Sequence, residues 1–262
     1  MEIFEIKNEY NLSDLVTLVR ILRDPVDGCP WDREQTHESI RQNFIEETYE
    51  ALEAIDRADK SLLEEELGDV LLQVMLHAEI ERQIGGFDID GVSDRICKKL
   101  VLRHPHIFGG VNVSESREVL SNWEDIKRDE KDQKTGSDAI DDVPAALPAL
   151  MKSQKVQKRA AYVGFDYDSV GGALDDLDSE LCELKAAIAE NTNVEEELGD
   201  LIFAAVNVAR FVKADAELCA ERACEKFAQR FRVVEEMARQ QGIDIKTAGM
   251  DKLNKLWEKA KQ

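Results

Sequence analysis

The hexapeptide EEELGD occurs twice in this chain, at Glu64–Asp69 and again at Glu195–Asp200. A shorter acidic cluster precedes each copy: Glu46, Glu47 and Glu50 before the first, Glu180 and Glu183 before the second. Residues three apart share one face of a helix. Glu47 then lies beside Glu50, Glu66 beside Asp69, Glu180 beside Glu183, and Glu197 beside Asp200. Packing the two acidic helices of each half together would gather four carboxylates around one point. Like charges crowded in this way repel, so the arrangement makes sense only around a cation. Oxygen-only ligands in that number suit a hard divalent ion, Mg²⁺, with Mn²⁺ as a possible substitute.

Hydrophobic spacing places these acids on helices. Leu12, Leu15, Val16, Leu18, Val19 and Leu22 predict a first helix over 12–23, capped by Asn11 or Ser13 and ended by Asp24-Pro25. Asp27–Asp32 (DGCPWD) reads as a structured loop. Helices follow over about 39–59 and 61–84, the latter opened by a Ser61/Glu64 capping box and closed by Gly85-Gly86. Two more run over 90–103, ended by His104-Pro105, and over 114–131. The polar break at Thr135–Asp138 and the prolines at 144 and 148 predict a linker over 135–148, between units 1–134 and 149–262. The pattern then restarts, with helices over 149–161, 171–190, 194–213, 215–241 and 247–261 and a loop at Val163–Asp168. No run alternates apolar and polar residues between turn signals as a strand would. The fold class is all-α.

The two halves match block by block. Trp31-Asp32 pairs with Tyr167-Asp168, Glu47/Glu50 with Glu180/Glu183, and Glu66/Asp69 with Glu197/Asp200. Lys99 and Arg103 parallel Lys226 and Arg230, and Trp123 with Lys127 parallels Trp257 with Lys261. Matched blocks in the same order identify a duplicated helical unit.

Composition narrows the choice of partner. A formal net charge of −21, from 55 Asp and Glu against 34 Lys and Arg, argues against a nucleic-acid binder, which needs a basic face to displace counterions. A small polyphosphate remains compatible, because metal ions can supply the local positive charge. No run approaches the roughly 18 apolar residues of a membrane span. The segment MEIFEIKNEY lacks the basic and apolar regions of a signal peptide. Five cysteines, odd in number and without a CxxC pair, read as thiols of a reducing compartment. A cytoplasmic protein, with neither membrane nor nucleic-acid polymer as partner, is expected.

Each half thus combines four carboxylates, a Lys and Arg one turn apart, and a Trp with a Lys one turn beyond it. The carboxylates would hold Mg²⁺, and Lys and Arg would contact the phosphates left uncovered. The Trp could stack on a base. A water activated by a neighbouring carboxylate would then attack phosphorus in line, with positioning and charge neutralisation supplying most of the rate.

The stretches GCPWD (28–32), EETYE (46–50), ELGD (66–69) and RHPHIFG (103–109) in the first half resemble the MazG nucleoside triphosphate pyrophosphohydrolases. So do VGFDYD (163–168), EEELGD (195–200) and EKFAQRF (225–231) in the second. The resemblance covers nearly the whole chain, including its two-repeat layout. It implies Mg²⁺-dependent hydrolysis of ribo- and deoxyribonucleoside triphosphates at the α-phosphate, giving a monophosphate and pyrophosphate, with broad base specificity. It also implies a homodimer with sites lined partly by helices shared across subunits.

Carried over residue by residue, the resemblance makes Glu180, Glu183, Glu197 and Asp200 the metal ligands of the second repeat. With Glu196 beside them, these acids form the catalytic set. It assigns nucleotide contacts to Asn193, Glu196, Lys226, Arg230, Trp257 and Lys261. Glu47, Glu50, Glu66 and Asp69 would form a second metal site in the first repeat, with the second repeat as the main hydrolytic one. Three departures stand out. Ser179 replaces the first Glu of the signature, and Asn193 stands where some members carry a basic residue. The spacer from Glu183 to Glu197 is 14 residues against 16 from Glu50 to Glu66, two shorter.

Other features have plainer readings. Leu67, Val70, Leu71 and Val74, with Leu198, Leu201, Ile202 and Ala205, flank the acids at core spacing and predict that these helices also build the interior. His104 and His106 flank a proline and read as structural. Trp31 reads as packing for its loop. No His is placed to activate a cysteine. Beside hydrolysis stands a second class of function, a helical module that senses nucleotides or alarmones without turnover.

Overall fold

A computed structural model describes residues 4–110, 116–131 and 133–261. Among the described residues there are thirteen helices and no strand. The chain divides into two compact units, Met1–Lys127 and Arg128–Gln262.

The first unit holds α1 (Leu12–Leu22), α2 (Pro30–Glu34), α3 (Arg41–Asp56), α4 (Lys60–Gln83), α5 (Ile89–Arg103), α6 (Pro105–Phe108) and most of α7 (Ser116–Glu130). The expected start of α7 at Ser114 lies outside the described residues. Asn11, rather than Ser13, caps α1: its Oδ1 accepts from the amides of Ser13 and Asp14 at 2.9 and 3.2 Å. Asp14 closes the box by accepting from the Asn11 amide at 3.0 Å. Pro30 opens α2 inside the segment expected as loop, because a missing N–H is harmless at a first helical position. The expected Ser61 box is displaced by Asp59, whose carboxylate accepts from the amides of Ser61 and Leu62, each at 3.1 Å.

α3 packs along α4, and the loop joining them is only three residues long, Arg57–Asp59, which makes the pair antiparallel. α1 and α5 pack on α4. The buried centre is Val19, Ile40, Met75, Leu76 and Ile80. Each such side chain contributes about 1.5–3 kcal/mol by leaving water. His37 adds a polar tie: its Nδ1 lies 2.7 Å from Nδ1 of His77 and its Nε2 3.0 Å from Glu81 Oε1. The chain before α3 is thereby fastened to the C-terminal half of α4. The acids of both helices stand roughly two turns beyond this anchored end.

The second unit holds α8 (Gly136–Asp141), α9 (Ala149–Tyr162), α10 (Val170–Glu190), α11 (Val194–Phe211), α12 (Ala216–Gln240) and α13 (Met250–Ala260). α8 lies within 135–148, expected as linker. Thr135 and Asp138 form a reciprocal cap, with bonds of 3.1 and 2.8 Å, and Ala139 and Val143 are buried. The segment packs on α9 as part of this unit. α10 and α11 repeat the acidic hairpin of the first unit. Their turn carries Asn191 at φ +55° and Asn193 at φ +44°, a left-handed conformation that Asn tolerates. α9 packs on α11, and α12 and α13 close around Val234, Ala238 and Leu256.

The expectation that the apolar residues flanking the acids build the interior fails. Leu67 is 54% exposed, Leu198 46%, Ile202 45% and Leu71 37%. Ala205 is also exposed, while Val70, Val74 and Leu201 are half-buried. A two-helix hairpin buries the seam between its helices and leaves the outer faces uncovered. Ile45 and Leu52 on α3 and Leu181 on α10 belong to the same exposed apolar set.

Candidate metal and nucleotide site

Both hairpins bring their acids together. In the first unit ligand oxygens of Glu47, Glu66 and Asp69 all lie within 4.8 Å of one another; in the second, those of Glu180, Glu183 and Glu197 do. Each trio draws on two helices, as the i, i+3 spacing requires. Glu50 and Asp200 stand just outside these trios but within electrostatic reach of them. Three or four carboxylates at this separation, with no nitrogen or sulfur ligand among them, fit a hard divalent cation.

Their electrostatics agree. Burial first, then the charges of Asp69, Glu50 and Glu46, holds the Glu47 carboxyl above its ordinary range. Glu66 is raised by burial and by Glu50, Asp69, Glu65 and Glu47. In the second unit Glu180 is raised by burial, then by Glu183, Asp200, Asp176 and Glu197. Glu197 is raised by burial, then by Glu183, Asp200 and Glu196. Carboxylates that resist losing their protons together are a cluster short of positive charge.

The Ser179 departure now has a local consequence. Ser179 Oγ donates to Glu183 Oε1 at 3.1 Å, one turn along α10. Where the first unit adds the charge of Glu46, the second has a hydroxyl that orients a carboxylate. Asn193 sits at the start of α11, exposed, its side chain making no cap; its carbonyl accepts from the Glu197 amide at 3.1 Å. Glu196 is exposed beside Glu197.

Of the other expected nucleotide contacts, Lys226 and Arg230 lie on α12, Trp257 on α13 and Lys261 just past its end. Trp257 packs half-buried against the Val234, Ala238, Leu256 cluster, with its ring 5.1 Å from Phe227. Lys261 Nζ pairs with Glu258 at 2.6 Å, Lys226 is exposed and Arg230 half-buried. Among the described residues no ion pair joins Lys226 or Arg230 to the four acids. Trp31 is 56% exposed on α2 rather than packed into its loop. His104 Nδ1 lies 2.6 Å from the Leu100 carbonyl and finishes α5, a structural role. All five cysteines are free.

Asp176 beside the acids escaped the motif reading, and Tyr167 entered it only within a matched block. Asp176 lies one turn before Glu180, and its carboxylate beside the Tyr167 hydroxyl, more than burial or the charge of Glu180, pushes the phenol upward. The i−4 position of Asp176 was visible in the sequence, but nothing there linked it to Tyr167. The loop carrying Tyr167 is pinned by Asp166, which receives two bonds from Arg210, one of 2.9 Å from Nη1 and a shorter one from Nη2.

The MazG nucleotide pyrophosphohydrolase domain matches the chain twice, over residues 35–108 and 173–235, and these stretches contain both acid clusters. The chain is 42% identical over 255 residues to a nucleoside triphosphate pyrophosphohydrolase of Escherichia coli K12, covering 96% of this chain and 97% of that protein. A nucleoside triphosphate pyrophosphohydrolase/pyrophosphatase MazG of Thermotoga maritima is 42% identical over 249 residues, 95% of each chain. The uncharacterized protein YabN of Bacillus subtilis is 44% identical over 256 residues, 97% of this chain and 52% of that longer protein. Two domain matches, similarity along nearly the full length and an acid cluster in each repeat lead to one conclusion: the chain belongs to the MazG family of nucleotide pyrophosphohydrolases.

Proposed function

We propose that this chain hydrolyses nucleoside triphosphates, ribo- and deoxyribo-, at the α-phosphate, releasing a monophosphate and pyrophosphate, with Mg²⁺ as its metal and Mn²⁺ as a substitute. The observation that carries the proposal is the convergence of Glu180, Glu183 and Glu197 from two helices, repeated by Glu47, Glu66 and Asp69. Bound among these carboxylates, Mg²⁺ would neutralise them and polarise phosphate oxygens. Glu180, Glu183 and Glu197 would hold the ion, with Asp200 joining them, and Ser179, which donates to Glu183, would keep that carboxylate oriented. Glu196, outside the trio, takes the proton of the attacking water. Lys226 and Arg230 bind phosphate oxygens and Trp257 and Lys261 flank the nucleotide, with Asn193 at its edge. The second repeat is the main hydrolytic one.

The exposed apolar faces of α3, α4, α10 and α11 support a homodimer, since faces of this kind are rarely left to water. Sedimentation should give a particle of two chains. A monomer at micromolar concentration would count against shared sites. Among the described residues no helix is long and apolar enough to cross a membrane. With five free thiols, the cytoplasm is the proposed location.

Pyrophosphate release from a panel of NTPs and dNTPs tests the central claim. Release should require Mg²⁺, stop on chelation and occur with several bases. Nucleotide binding without release would instead favour the sensing module.

A further inference from the structure

His37, His77 and Glu81 form a second titratable cluster at the base of the first acidic hairpin, outside its acid trio. His37 belongs to the chain before α3, and His77 and Glu81 stand one turn apart on α4. The two rings stack, with centroids 5.0 Å apart and planes 6° apart. Phe44 of α3 closes on His77 at 5.7 Å. Both imidazoles are half-buried, and His77 lines an open cavity of about 460 Å³ through which protons can reach the pair.

The bonding pattern counts protons. Glu81, as a carboxylate, only accepts, so His37 Nε2 carries a hydrogen. The 2.7 Å contact joins Nδ1 of His37 to Nδ1 of His77, and one hydrogen must lie between them. A neutral pair meets that condition, and so does a pair carrying one charge. A second charge sets N–H against N–H and one imidazolium against another, and the contact cannot hold. Burial first, then the charge of His37, keeps His77 below the ordinary imidazole range, which favours the closed pair at neutral pH. Few other charges surround it. α3 contributes Arg41, the chain before it Glu38 and α4 Glu81, while Phe87 and Val92 face the pair from the α5 side without charge. α1 meets α4 on another face, through Arg20 and Glu79.

The matching positions of the second repeat lack this cluster. His77 lies 11 residues after Glu66, and Val208 lies 11 after Glu197. His37 lies ten before Glu47, and Val170 ten before Glu180; Glu81 matches Val212. The hairpin itself does not need these groups, since the second unit builds it with valines. Gln73 sits between the two clusters on the same face of α4, four residues from Asp69 and four from His77. It is 5% exposed and its Oε1 has no hydrogen-bond partner, whereas the second unit has Ala204 there. Loosening α3 at this point would admit water to that acceptor, a gain on opening that the second hairpin lacks.

We infer that the His37–His77 contact is a pH-operated latch of the first repeat: a second proton breaks it, releases the chain before α3 from α4 and relaxes Glu47 against Glu66 and Asp69. Cation binding at that trio then weakens in mildly acid conditions, while the second repeat responds only through its own carboxylates. The latch stands without the cation reading of the trio; its effect on binding rests on that reading. With the folded value of His77 below the unfolded 6.5, stability present at neutral pH is lost as pH falls from 6.5 through the folded value.

Hydrogen exchange of the metal-free full chain, corrected for the intrinsic pH dependence of exchange, reads the latch between about pH 7.5 and about 5.5. Protection of residues 36–47 should fall roughly tenfold across this range, and that of residues 170–180 should not. His37→Val combined with His77→Val, which installs the residues of the second unit, should abolish the fall. The protection that Mg²⁺ adds over α3 should decline more steeply with falling pH in the wild type than in this double variant, whose acids titrate alike. Ring-proton NMR of the wild type needs no variant: one imidazole of the pair should take its proton below 6.5. Constant protection of residues 36–47, both rings titrating at or above 6.5, or an equal fall in the folded double variant overturns the latch. Equal Mg²⁺ responses in the two proteins would sever it from the trio and overturn the proposal as well. If the latch opens as expected but Mg²⁺ adds no protection at any pH, the cation reading alone falls.

Discussion

Glu197→Gln and Asp200→Asn each lower kcat/KM for pyrophosphate release by at least roughly a hundredfold, about 2.7 kcal/mol of transition-state stabilisation at 1.36 kcal/mol per tenfold. Both changes preserve shape and remove a charge, so the loss falls on metal binding and on phosphate neutralisation. Glu197 is the stronger test, because its oxygen lies in the trio with Glu180 and Glu183 while Asp200 stands just outside it. The helices should remain intact by circular dichroism, since the crowded carboxylates repel one another and losing one charge relieves the fold. Asp69→Asn, the matched change in the first repeat, should keep more than half of the turnover. Collapse of activity in Asp69→Asn alone would move catalysis to the first repeat. Full activity in Glu197→Gln, Asp200→Asn and Asp69→Asn would remove the acid clusters from the chemistry altogether.

The helices themselves were legible because helical periodicity is local. Each long helix formed where apolar spacing placed it, and the misreadings cluster at caps. Asp59 overrode Ser61 because an aspartate one position earlier than the helix start accepts from the same free amides more strongly than a serine inside it. α8 was hidden in a proline-flanked polar stretch, although Thr135 and Asp138 spell a capping pattern. The apolar residues flanking the acids gave the opposite error. Their spacing marks an apolar face of a helix, and it does not say whether this chain covers that face. Leu67 and Leu198 look like core in sequence and stand half-exposed in one chain.

The acid trios were legible for a different reason: duplication turned a common surface pattern into a repeated one. The histidine pair was not. His37, His77 and Glu81 carry no periodic or motif signal and meet only through long-range packing, with partners 40 and 44 residues apart in sequence. Lys226, Arg230, Trp257 and Lys261 were legible as a matched block, but among the described residues no ion pair joins Lys226, Arg230 or Lys261, on α12 and at the end of α13, to the four acids.

In metal-free buffer at pH 8, adding saturating Mg²⁺ raises the melting temperature by about 8–10 °C, and at pH 5 the rise is much smaller. A ligand present at about 100 times its dissociation constant stabilises the folded state by about 2.7 kcal/mol, and about 3–4 °C per kcal/mol suits units of this size. The pH dependence follows from the raised carboxyls Glu47, Glu66, Glu180 and Glu197. Between the unfolded value near 4.5 and the raised folded value, the folded chain binds more protons than the unfolded one. Without metal, the stability these groups contribute is therefore lost as pH climbs past about 4.5, and the loss is complete above their folded values. Mg²⁺ competes with those protons, so its stabilising effect grows across the same window. Changing Glu47 and Glu180 to Gln together should flatten the metal-free profile and shrink the Mg²⁺ response, which separates the clusters from the general repulsion of a chain carrying −21 charges. A melting temperature indifferent to Mg²⁺ at pH 8 would mean that the carboxylates converge without holding a cation.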